Sequence, residues 1–138
     1  MPTKTPEIVE ASSSATYEEA LLRLSQSGVE GVFFAPDPSA IAHGKVIAEQ
    51  AIARRLPTMF QRRENVQAGG LMSYGADLVD QFRQATGYVE RLLKGAKPAD
   101  LPVEQLTRFE MTINARTAKS LGLTIPRRIL QRADDVIE

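Results

Sequence analysis

Three pairs of residues stand where a short apolar run gives way to a polar segment: Pro36-Asp37, Phe60-Gln61 and Ser73-Tyr74. Between them they offer a carboxylate, an amide that both donates and accepts, a hydroxyl, a phenol and an aromatic ring. Ser39 adds a second hydroxyl two residues after Asp37, and Arg62 next to Gln61 can hold a carboxylate bidentately. Such a set is suited to gripping a small organic molecule rather than transforming it. Each member also has a plainer explanation. Asp37 before Pro38 is a helix-capping pattern, and Arg62-Arg63 can simply be solvated.

The catalytic templates fail. The chain has one histidine, His43, and no cysteine. His43 falls a turn into a predicted helix with no acidic residue near in sequence to orient it, and reads as an exposed helix residue. Gly70-Leu-Met-Ser73-Tyr-Gly75 has one residue too many before the serine to be a nucleophile elbow. There is no phosphate-binding glycine motif and no spacing of His, Asp and Glu that suits a metal. We therefore expect no catalytic residue, no metal site and no cofactor. Seventeen basic residues balance seventeen acidic ones, so no net field favours nucleic acid or an anionic membrane. Arg54-Arg55 and Arg127-Arg128 read as solvated helix faces.

The elements that must position these residues alternate. Residues 1–6, with two prolines, read as a flexible lead-in. Ile8–Ala11 is β-compatible. Thr16 and Glu19 form a capping-box pattern opening a helix whose Tyr17, Ala20, Leu21 and Leu24 share one face, and Gly28 stops it. Gly31–Ala35 is a continuous apolar run, as a strand buried in a parallel sheet should be. A helix is expected from Ser39 to about Arg55, then a strand at Leu56–Phe60, a loop or single helical turn over 61–68, and a strand at Leu71–Tyr74 that Gly75 ends. The longest predicted helix spans 77–94. Its Leu78, Phe82, Ala85, Val89 and Leu92 form a stripe that reads as core. A turn-rich connector at 97–102, a half-exposed strand at 108–113, a short helix capped by Asn114 and a last helical segment from Pro126 complete the chain. Repeated strand–helix alternation predicts an α/β fold: a three-layer sandwich around a mainly parallel sheet with right-handed crossovers. Residues 7–75 make a β-α-β-α-β-loop-β core and 76–138 a return segment. At the carboxyl edge of such a sheet the three strand ends gather into one rim.

Several runs resemble the substrate-binding components of ABC transporters, in the tryptophan/phenylalanine-type and uncharacterised group. They are Phe33–Pro38, Arg54–Thr58, Gln67–Gly75, Leu93–Gln105 and Ile113 through Pro126. The resemblance covers about Ile8 to Ile137 and corresponds to the family's C-terminal portion. It implies one lobe of a type I periplasmic binding protein, with a small solute, for instance an amino acid, held at Asp37, Gln61, Ser73 and Tyr74; the strand-end pattern adds Ser39 and Phe60 to the expected ligand-binding set. It implies a permease as partner, no nucleic acid, and a periplasmic location, although the chain as written has no signal peptide and would remain cytoplasmic. In a longer relative the 77–94 helix would pack on the first lobe; alone, its apolar stripe would favour a homo-oligomer. The other expectation kept open is a stand-alone cytoplasmic signalling or interaction domain with a flavodoxin-like sheet.

Overall fold

The computed structural model describes residues 6–105 and 107–138, so the expected lead-in at 1–6 lies outside the described residues except for Pro6. The elements run α1 (Ser14–Gln26), β1 (Val32–Phe33), α2 (Pro38–Ala42), α3 (Gly44–Ala53), β2 (Thr58–Phe60), α4 (Arg63–Gln67) and β3 (Met72–Ala76). They continue as α5 (Leu78–Leu93), β4 (Phe109–Asn114), α6 (Ala115–Ser120), α7 (Arg127–Leu130) and β5 (Asp135–Ile137), with one 3₁₀ turn at Pro98–Asp100. The five strands lie in the sheet in chain order, β1 to β5. All neighbours are parallel except β3 and β4, which are antiparallel, so the mainly parallel α/β fold expected from the sequence is present.

Pairing defines the two faces. Phe60, Ser73 and Thr112 lie in register on one, while Phe33, Met59, Met72 and Ile113 lie in register on the other. Against the first face pack α1 and α3, and the core forms between them from Tyr17, Leu21, Ile47, Ala51, Leu56 and Phe60. On the second face Phe33, Tyr74 and Phe109 stay substantially exposed.

The start of α1 differs in detail from expectation. Its cap is Ser13, whose Oγ accepts from the Thr16 backbone N–H at 3.3 Å while Thr16 Oγ1 accepts from the Ser13 N–H at 2.8 Å. The reciprocal pair is therefore Ser13 with Thr16, not Thr16 with Glu19. Residues 8–11 carry no strand assignment; no ladder bonds join them to the sheet among the described residues. The long helix expected after Ser39 is two helices that meet at His43. That ring donates from Nδ1 to the Ser39 carbonyl (2.8 Å) and lies 5.7 Å from Tyr17, so His43 is a half-buried joint and not an exposed helix residue. Gly44 sits at the joint because an added Cβ would come within 3.2 Å of Ala68 and 3.3 Å of Asn65.

Gly75 does not end β3. The strand continues through it, pairing Gly75 with Glu110 and Ala76 with Phe109. Asp77 then caps α5, its Oδ1 accepting from Val79 and Asp80. The stripe on α5 is not core: the helix has no buried residue, and Val79, Phe82 and Val89 are exposed. Its far end is fastened to the following connector. Tyr88 OH bonds the Pro102 carbonyl, and Arg91 reaches Glu104 at 2.9 Å, a hydrogen bond that raises the arginine pKa. Arg54, expected on a solvated face, is half-buried, bonding the Gln50 carbonyl at 3.1 Å. β5, absent from the sequence reading, pairs in parallel with the end of β4. Among the described residues no helix is long and apolar enough to cross a membrane.

Candidate functional site

Because β1, β2 and β3 are parallel, their carboxyl ends share one edge of the sheet. Just beyond β1, Asp37 is exposed and caps α2, its Oδ1 accepting from the Ser39 N–H at 2.7 Å. The capping explanation thus holds, and Asp37 remains exposed while it caps. Just beyond β2, Gln61 is exposed, and its backbone crosses so close to Gly75 that an added Cβ would stand 2.1 Å from the Gln61 carbonyl oxygen. Phe34, Asp37, Phe60, Gln61, Arg62 and Asn65 meet around a shallow depression. Its volume is about 10 Å³, against about 300–1,000 Å³ for a site that encloses an organic ligand.

The remaining predicted residues are not on that open rim. Phe60 is 1% exposed and stacks on Phe34, ring centres 4.7 Å apart, as a wall of the core behind it. Ser73 is 2% exposed and faces the same way, next to Phe60 across the β2–β3 pairing. Tyr74, one residue on, projects to the opposite face, as strand alternation requires. It is 45% exposed and stacks on Phe109 at 5.6 Å with 18° between the planes. The hydroxyl of Ser39 is taken by Tyr17, at 2.6 Å. The edge therefore presents two exposed polar tips, Asp37 and Gln61, with an aromatic plate, Tyr74 on Phe109, across the sheet.

Two contributors escaped the sequence reading. Asn65 is buried beneath the rim and donates from Nδ2 to the Ala40 carbonyl at 2.7 Å, fixing α4 to α2. An asparagine in a short polar stretch gave no signal for burial. Phe109 was legible as a position, since Phe109, Met111 and Ile113 alternate along the predicted strand, but not as the partner of Tyr74. Among the described residues no group of His, Asp and Glu is gathered to hold a metal ion. A cavity of about 1410 Å³ lies beside β1 at the lateral edge of the sheet and not on the rim, although Asp37 touches both.

Residues 11–137 match the family model described as ABC transporter substrate binding protein. No curated protein matches the chain. Among solved structures, one from Streptococcus pneumonia, described as an ABC domain in complex with L-Trp, is 27% identical with a TM-score of 0.83, covering 95% of this chain and 44% of that one. A conserved domain protein from Vibrio cholerae O1 biovar El Tor is 25% identical with a TM-score of 0.81, covering 91% of this chain and 42% of that one. A ligand-free, open substrate-binding protein with adhesive properties from Clostridium difficile shares the fold at 16% identity and a TM-score of 0.68, covering 91% of this chain and 41% of that one. The chain thus spans less than half the length of the solved proteins it matches.

Proposed function

This chain belongs to the ABC transporter substrate-binding protein family, and from that premise we propose that it serves as one lobe of a solute receptor for an import system. Asp37 and Gln61 grip a small organic solute at the carboxyl edge of the sheet. The observation that carries the reading is the meeting of these two exposed polar side chains on adjacent parallel strand ends. An amino acid fits the chemistry: Asp37 attracts its ammonium, and Gln61 and Arg62 its carboxylate. The L-Trp complex of the pneumococcal relative supports an aromatic amino acid in particular. Phe60 and Ser73 act from behind as packed supports, and Ser39 holds α1 through Tyr17.

The shallow depression needs an opposing wall, since receptors bury most of a small ligand. A second lobe supplies it, and the exposed stripe of α5 packs on that lobe or, in its absence, on a second copy of the chain. The family's transport role makes an ABC permease the receiving partner and the periplasm the working compartment. No step of bond making or breaking is assigned to any residue.

Thermal denaturation with and without L-Trp and the other amino acids tests this. A ligand present at about a hundred times its Kd stabilises by about 2.7 kcal/mol. We expect a measurable shift at millimolar concentrations for at least one amino acid, lost in the double variant Asp37→Ala/Gln61→Ala. No shift with any of them, or an equal shift in the variant, rules out this rim.

A further inference from the structure

One tyrosine differs from the other two. The hydroxyl of Tyr17 is bonded to Ser39 at 2.6 Å, and that of Tyr88 to the Pro102 carbonyl. Tyr74 is 45% exposed, and among the described residues its hydroxyl has no hydrogen-bond partner. Its ring is nevertheless held in place. It stacks on Phe109 at 5.6 Å, 18° from parallel, and Phe109 is itself 46% exposed. β4 runs antiparallel to β3 and pairs Phe109 with Ala76. Phe109 therefore opens its strand at the same edge where β1, β2 and β3 end. Ala76 is small, which lets the Phe109 ring reach diagonally to Tyr74, two residues back along β3.

The surroundings of the pair are apolar. Met111 lies directly opposite Tyr74 on the same face of the sheet, and Met72 is two residues before it. The charged neighbours of Phe109 in the chain are engaged elsewhere: Arg108 with Asp77 at 3.4 Å and Glu110 with Arg63 at 3.5 Å. Strand order decides which side of the Tyr74 ring is open. Phe109 covers it from the β4 side, so the uncovered side looks toward β2, whose end carries Gln61. The Gln61 backbone stands against Gly75, the residue after Tyr74. The open ring face and Gln61 are thus about one strand spacing apart, roughly 4.8 Å. That is comparable with the separation of the α-carbon and the ring in an aromatic amino acid.

We infer that Tyr74 and Phe109 form the side-chain subsite of the solute site at the rim. This rests on the rim reading above and adds what selects the solute. A planar aromatic side chain lies on the open face of Tyr74, while the ammonium and carboxylate of the same molecule stay with Asp37 and Gln61. Tyr74 touches the ring. Phe109 is a positioning residue that holds Tyr74 from behind. Stacking of this kind raises affinity beyond the effect of buried area by a factor of about two to twelve. An aliphatic side chain of similar bulk gains the area but not the stack.

L-Trp and L-Leu share a head group and differ in the ring, so their affinity ratio on the full chain reads the subsite. The chain has no tryptophan, so an indole signal comes from the solute alone. Affinities are measured by isothermal titration calorimetry, and the place of bound L-Trp by energy transfer from tyrosine to indole. We expect L-Trp to bind about threefold or more tighter than L-Leu. Phe109→Leu should bring that ratio to within about twofold of unity, with L-Leu affinity unchanged as the sign that the rim is intact. Tyr74→Phe should keep the ratio and cut the energy transfer. Equal affinities in the parent chain, a ratio that survives Phe109→Leu, or transfer unchanged by Tyr74→Phe each overturns the subsite and leaves the rim standing. Loss of both solutes in Phe109→Leu overturns it too, since Phe109 would then support the whole edge and not the ring. If neither these two nor any other amino acid binds the parent chain, the rim falls and the subsite with it.

Discussion

Replacing Gly75 by alanine tests the closest approach at the candidate site. The new Cβ would stand 2.1 Å from the Gln61 carbonyl oxygen, 3.0 Å from its carbonyl carbon and 3.3 Å from its Cα. Non-bonded heavy atoms settle at roughly 3.5–4.0 Å, so the end of β2 must be pushed away by more than about 1 Å. The obstacle is backbone, and no rotamer change relieves it. β3 cannot retreat either, because Gly75 and Ala76 are paired to Glu110 and Phe109 of β4. Overpacking of this kind costs about 1–3 kcal/mol, and the backbone clash places it in the upper half of that range. For a domain of this size that lowers Tm by about 6–15 °C. Differential scanning calorimetry reads the loss, and faster amide exchange at Gln61 and Arg62 locates it. Gly87→Ala is the internal control: it lies inside α5 with nothing within 4 Å of an added Cβ, so alanine should stabilise by about 0.5–1 kcal/mol. A Gly75→Ala chain that melts within about 2 °C of the parent refutes the packing argument and with it the placement of Gln61 at the rim.

Other outcomes follow from the same packing. Asn65→Ala removes the donor to the buried Ala40 carbonyl and should cost about 1–3 kcal/mol in urea denaturation; an unchanged midpoint means the bond is not made in solution. Serine at Val79, Phe82 and Val89 of α5 should change the stability of the isolated chain by less than about 0.5 kcal/mol per site, because all three are exposed. The same variant should lower any self-association in sedimentation velocity. A large drop in Tm would instead mean that the face is packed within the chain.

Where pattern and packing agree, the fold was legible in the residues. Val32-Phe33, Thr58–Phe60 and Met72–Tyr74 are apolar runs bounded by glycine, proline or charge, and each is a strand in the expected order. The return strand at Phe109–Asn114 was legible from alternation. Asp135–Ile137 was not, since three residues with an acid among them carry no period; only its seat beside β4 makes it a strand. Ile8–Ala11 has strand chemistry but no ladder, because propensity counts only when a neighbour is present. Gly75 was misread as a terminator: a glycine inside a strand can mark a close backbone approach as well as a break, and the sequence does not distinguish them. Period-two geometry also separates Ser73 from Tyr74, so adjacent residues named for one rim face opposite sides of the sheet. The apolar stripe of α5 was correctly seen as a stripe, but amphipathicity does not say which body covers it.

Strand order that copies chain order has a bearing on how the molecule is made. In a sheet wound outward from a central strand, early strands wait for later ones to be translated. Here β2 can dock on β1, and β3 on β2, as soon as each has left the ribosome tunnel. Sequence-near pairing of this sort lowers contact order and speeds folding. Assembly can thus run in the direction of synthesis, one strand at a time, with β5 as the closing addition.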